Sequence, residues 1–85
     1  MDSGHGARVV VYTRPGCPFS MKLRTKLRLA GIPFESVDIW ADDEARALVR
    51  QVNGGNETVP TVQIGEQFLT NPALGEVRAT LAQQG

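Results

Sequence analysis

The chain has 85 residues, and its nine basic and nine acidic side chains cancel to a formal net charge of zero. That length suits one small domain, and the balanced charge argues against a nucleic-acid footprint or a polybasic membrane patch. No apolar run approaches the ~18–20 residues of a membrane span, and a single cysteine, Cys17, excludes an intramolecular disulfide.

Residues 1–7 (MDSGHGA) are Gly-rich and polar, so a flexible tail is expected there, with His5 no ligand, followed by a single domain over residues 8–85. The start of the chain lacks the charged and apolar regions of a signal peptide, and a free thiol survives best in a reducing compartment; a cytoplasmic location is the expectation. Residues 8–13 carry a β-branched run with an aromatic, closed by Pro15-Gly16, and read as a buried strand. Pro18 falls where a first helical position would be, and Ser20, Leu23, Leu27 and Ala30 share one helical face up to Gly31. Residues 33–39 predict a second strand through Phe34, Val37 and Ile39. Asp42 or Asp43 then caps a helix with Ala45, Leu48, Val49 and Val52 on its apolar face, and Asn53-Gly54-Gly55-Asn56 ends it. Two short strands, 61–64 and 67–69, are joined at Gly65-Glu66 as a hairpin. Asn71-Pro72 is expected to open the last helix as cap and first position, with Leu74, Val77 and Leu81 buried. The order β-α-β-α-β-β-α predicts an α/β fold. Its four-stranded mixed sheet has the first two strands parallel, an antiparallel terminal hairpin and three helices.

Cys17 is the residue placed for chemistry. The first turn of a helix leaves backbone N–H groups without intrahelical partners, and with the helix dipole they favour a thiolate over a thiol. A free cysteine titrates near pKa ~8.5, so a nucleophilic Cys17 is expected at neutral pH; the alternative is a small inert core residue. Ser20 stands where a second cysteine would complete a Cys-x-x-Cys pair, so the chain is monothiol. The Ser20 hydroxyl can donate to the thiolate, or it is an ordinary helix-start polar group, or it replaces a parental cysteine. Arg14 either guides a ligand carboxylate and lowers the Cys17 pKa or is a solvated loop charge.

The element order, Cys17-Pro18-Phe19-Ser20 at the first strand-to-helix turn, and Thr58-Val59-Pro60 before the third strand together resemble the glutaredoxins of the thioredoxin fold. The stretch from Asn53 to Val62, followed by Leu69-Thr70-Asn71-Pro72, is most similar to the mycoredoxin branch of that family in actinobacteria. The resemblance implies a cis Val59-Pro60 bond facing Cys17, with the Val59 backbone free to pair with an extended thiol ligand as an added strand would. It further implies that Phe19 forms an apolar wall beside the thiol, with a surface-exposed aromatic as the alternative. Thr58, Val59, Pro60, Thr70 and Asn71 complete the thiol-binding set. For Asn71 two roles stand open, a ligand contact beside the free amides of the helix start or pure N-capping.

Thr70-Asn71-Pro72 replaces the Gly-Gly-acidic pattern of glutathione-using members, which favours mycothiol over glutathione. The implied activity is a thiol-disulfide oxidoreductase acting in electron transfer and cell redox homeostasis. It reduces mixed disulfides between proteins and a low-molecular-weight thiol, works as a monomer on S-thiolated proteins, and requires no metal or resident cofactor. Two alternatives accompany it: a carrier of a [2Fe–2S] cluster held between two chains, and a dithiol electron donor whose resolving cysteine has become Ser20. Pro18 and Phe19 resemble the catalytic type more than the Gly-Phe pair of the cluster carriers. Trp40 has no assigned role, and Gly54-Gly55 reads as a helix stop.

Overall fold

Alternation along Val9–Thr13, the strand β1, sets the two layers of the molecule. In the computed structural model, which describes residues 8–84, Val9 and Val11 pack on one side of the sheet and Val10 and Tyr12 on the other. The expected tail over residues 1–7 lies outside the described residues. The remaining elements are α1 (Pro18–Leu29), β2 (Glu35–Asp38), α2 (Asp43–Val52), β3 (Thr61–Ile64), β4 (Gln67–Thr70) and α3 (Leu74–Gln84). The strands run in the order β2-β1-β3-β4, with β1 parallel to β2 and the other pairs antiparallel. This is the mixed sheet with three helices that the sequence predicts.

One face carries α1 and α3: Leu23, Leu27 and Val77 close over Val9, Val11, Val62 and Ile64. Burying each such aliphatic side chain contributes about 1.5–3 kcal/mol, so this layer holds the start of α1 firmly against β1. The other face carries α2 alone, through Ala45 and Val49 against Tyr12 and Ile39. Asp42 caps α2 by accepting from the Ala45 N–H at 3.0 Å. Gly31, at φ +71°, ends α1, and the Ile32 N–H reaches back to the Leu27 carbonyl at 3.0 Å.

Several expected boundaries move. The ladder of β2 covers only Glu35–Asp38 of the predicted 33–39 run, although Ile39 is fully buried and its N–H donates to the Thr13 carbonyl. Ala30 is half-buried because it is already the C-cap of α1, and Val52 stays exposed at the frayed end of α2. The largest correction concerns Asn71-Pro72, which do not open α3. Asn71 adopts φ +46°, and its N–H donates to the Pro60 carbonyl at 2.7 Å, so it closes the end of β4 instead. A residue before proline is driven out of helical backbone, and asparagine tolerates the left-handed region. The cap falls at Ala73, whose carbonyl accepts from Glu76 and Val77 and whose N–H donates to Glu76 Oε1 at 2.9 Å.

Candidate active site

Pro15 and Gly16 turn the chain between β1 and α1, with Gly16 at φ +77°, and the Cys17 N–H closes the turn on the Arg14 carbonyl. Cys17 is the N-cap of α1, in extended backbone, with Pro18 at the first helical position. Its own side chain makes no capping bond, so the amides of the first turn remain turned toward the sulfur. Cys17 is 7% exposed, and its Sγ lies 3.9 Å from the Val59 carbonyl oxygen, a contact longer than a normal hydrogen bond. The Val59-Pro60 bond is cis, as the family resemblance implied. Among the described residues the Val59 N–H makes no hydrogen bond.

Burial is the largest influence on the Cys17 thiol and pushes its pKa up. It is outweighed by the Ser20 hydroxyl, the Ser20 and Phe19 backbone N–H groups and the Arg14 charge, so the net direction is below the ordinary thiol value. Ser20 is completely buried, and its Oγ has no hydrogen-bond partner of good geometry. These two facts describe one arrangement. The hydroxyl sits close enough to stabilise negative charge on sulfur without being aligned on the neutral thiol, and ionisation turns Sγ into an acceptor that it can satisfy.

A groove of roughly 690 Å³ opens at the thiol, lined by Cys17, Arg14, Phe19, Thr58 and Val59 together with Trp40 and Glu57. Phe19 and Trp40 are 61% and 58% exposed, so each is a large apolar surface left uncovered in the groove that holds the sulfur. Phe19 also borders a second hollow of about 260 Å³ that reaches Asn71 and Glu76 between α1 and α3. A third hollow, of about 600 Å³ between β2 and α2, contains neither the thiol nor the residues of its groove. Of the predicted residues, the groove gathers Cys17, Arg14, Phe19, Thr58 and Val59, Pro60 is buried behind it, and Asn71 lies in the adjoining hollow. Thr70 is elsewhere: its hydroxyl donates to Asn53 Oδ1 at 2.7 Å.

Sequence reasoning missed three positions. Trp40 reaches the groove because its N–H donates to Asp38 Oδ1 at 2.8 Å, fixing the turn after β2. Glu57 is held by Arg46 and Arg50 of α2 and is kept below the usual carboxylate range by hydrogen bonds first from Arg46, then from Arg50. Asn53 ties together the end of α2, β3 and β4: its amide donates to Val49 O and Thr61 Oγ1, while Oδ1 accepts from Thr70. Thr61 in turn donates to the Thr58 carbonyl at 2.7 Å, which positions the loop facing the thiol. The acidic residue three places before Pro60 was the one available signal, a charge beside the Thr58-Val59-Pro60 motif. Among the described residues no cluster of His, Cys, Asp and Glu could hold a metal ion, and no helix is long and apolar enough to cross a membrane.

Known proteins resemble this chain in sequence and in fold. The family model described as Glutaredoxin matches residues 9–69. The Mycobacterium tuberculosis protein named "Putative glutaredoxin Rv3198A" is 40% identical over 78 residues, covering 91% of this chain and 93% of that protein. Mycoredoxin 1 of Corynebacterium glutamicum is 34% identical over 76 residues, covering 88% and 94%. The solution structure of a glutaredoxin from Brucella melitensis superposes with a TM-score of 0.73 at 29% identity, covering 98% and 94%.

Proposed function

The chain belongs to the glutaredoxin family, and on that premise we propose that it reduces mixed disulfides between proteins and a low-molecular-weight thiol by a monothiol route through Cys17. The observation that carries the reading is the placement of its one thiol: at the start of α1, beside Ser20 and Arg14, facing the cis Val59-Pro60 bond across an open groove. Mycothiol is the favoured thiol, supported by the similarity to mycoredoxin 1 and by Thr70-Asn71-Pro72 at the end of β4.

In the first step the Cys17 thiolate attacks the small-thiol sulfur of a protein mixed disulfide. The new bond joins Cys17 Sγ to the small thiol, the old S–S bond breaks, and the protein sulfur leaves as a thiolate that takes a proton from water. A second small-thiol molecule, as thiolate, then attacks the small-thiol sulfur of the adduct, releasing a small-thiol disulfide and regenerating the Cys17 thiolate. Each step forms one S–S bond as it breaks another and releases one thiolate, and the second small thiol is the reductant that ends in the small-thiol disulfide. Val59 offers its free N–H and its carbonyl to the extended ligand, Phe19 walls the apolar side, and Arg14 meets negative charge at the mouth. Ser20 stabilises Cys17 as leaving group and nucleophile alike; it cannot resolve the adduct, so the route needs the second thiol.

Turnover tests this directly. A mycothiol mixed disulfide, coupled to a reductase that regenerates free mycothiol, is expected to be reduced at a rate proportional to enzyme, and Cys17→Ser abolishes it. With Cys17 intact and reduced, failure with both mycothiol and glutathione would refute the enzyme reading.

A further inference from the structure

Strand register sets four segments side by side at one end of the sheet. Val37 pairs with Tyr12, Tyr12 with Thr61 and Thr61 with Thr70, so these residues form one row across β2, β1, β3 and β4. Just beyond that row come Trp40 after β2, Cys17 after β1, Val59-Pro60 before β3 and Asn71 after β4. Neighbouring strands lie about 4.8 Å apart, so the thiol has two unlike flanks. On the β3–β4 side stand the Val59 backbone and the hollow that reaches Asn71. On the β2 side stands Trp40, which lines the groove at the thiol but not that hollow.

Trp40 is exposed, yet its backbone is anchored on both sides. Its N–H donates to Asp38 Oδ1, the Ala41 N–H donates to the Asp38 carbonyl at 3.1 Å, and Ile39 before it is fully buried. The packed core makes no use of the indole, since neither apolar cluster includes it. Apolar surface held in water is stabilised only when something covers it, and tryptophan is enriched among the side chains that anchor protein interfaces. Arg14 and Glu57 bring opposite charges to the same groove, so what this flank offers a partner is contact area and not one sign of charge. With the small thiol lying along Val59, the β2 flank is the part of the groove left for the protein half of the mixed disulfide.

We propose that Trp40 is the docking residue for that protein half, and that it packs against an apolar side chain next to the partner's thiolated cysteine. The small thiol and the target protein are then chosen on opposite flanks of Cys17. This inference rests on the reading of Cys17 as the exchanging nucleophile.

The experiment uses two blocked peptides, Gly-Leu-Cys-Leu-Gly and Gly-Ser-Cys-Ser-Gly, each as its mixed disulfide with mycothiol, and follows the mycothiol adduct on Cys17 by intact mass. The parent chain is expected to react about five- to tenfold faster with the leucine peptide, Trp40→Ala to bring the two rates to within about twofold of each other, and Trp40→Phe to keep most of the preference. Iodoacetamide alkylation of Cys17 stays unchanged in both variants, because Trp40 is not among the groups that set the thiol. A parent chain without the preference, a preference that survives Trp40→Ala, or alkylation that slows in step with both peptides overturns the proposal. A Cys17 that takes mycothiol from neither peptide in the parent chain would instead overturn the nucleophile reading, and this inference with it.

Discussion

Ser20 is the residue through which the proposed activation of a lone thiol, without a partner cysteine, is tested. Its hydroxyl is wholly buried beside the sulfur with no other group to satisfy it, so the polar interaction it lacks in the thiol form is regained when Cys17 ionises. Burial of the sulfur works against ionisation, and the Ser20 side chain is foremost among the groups that outweigh it. Ser20→Ala removes that contribution and leaves burial less opposed. The pH profile of iodoacetamide alkylation is therefore expected to move to higher pH, with a several-fold slower reaction at neutral pH. Arg14→Gln shifts the profile the same way by less, since its charge is the smallest of the named contributions and it sits in solvent. A profile left in place by Ser20→Ala would show that the backbone amides and Arg14 set the thiol without the hydroxyl.

The loop that faces the thiol is positioned by its neighbours more than by its own residues. Asn53 spends both amide hydrogens and one acceptor site on α2, β3 and β4, and Thr61 passes that fixation to the Thr58 carbonyl. Asn53→Ala removes the side-chain bonds to Thr61 Oγ1 and from the Thr70 hydroxyl, while the Val49 carbonyl keeps the backbone N–H of residue 53; about 0.5–1.5 kcal/mol of stability is expected to be lost, measured by urea unfolding with Cys17 alkylation slowed alongside. A variant of unchanged stability would mean that Asn53 only terminates α2. This is also where reading from sequence stops short. Cys17, Pro18 and the cap at Asp42 follow from local rules of helix starts, which depend on a few adjacent residues. Asn53, Glu57 and Trp40 acquire their roles only once α2 packs on the sheet, and nothing local to them announces it. Asn71-Pro72 shows the reverse error: a good local cap signal was overridden because the Asn71 N–H is taken by the Pro60 carbonyl across the sheet.

The β-α-β-α-β-β-α order was legible because Gly and Pro punctuate nearly every junction and the apolar spacing changes period between strands and helices. What that order accomplishes is a convergence: the β1–α1 turn brings Cys17, and the segment before β3 brings Thr58-Val59-Pro60, to the same end of the sheet. The cis bond between Val59 and Pro60 was legible only through the family resemblance, since nothing in the local sequence distinguishes it. With one thiol at that convergence, the account requires that chemistry leave the small thiol, and not the target protein, on Cys17. The most direct measurement is intact mass after reduced protein meets a mycothiol mixed disulfide of a target protein with no free thiol present. The account predicts one mycothiol adduct on Cys17 with the target released as free thiol, and loss of the adduct when mycothiol is added. A stable disulfide between the two proteins, or an unmodified Cys17, would contradict it.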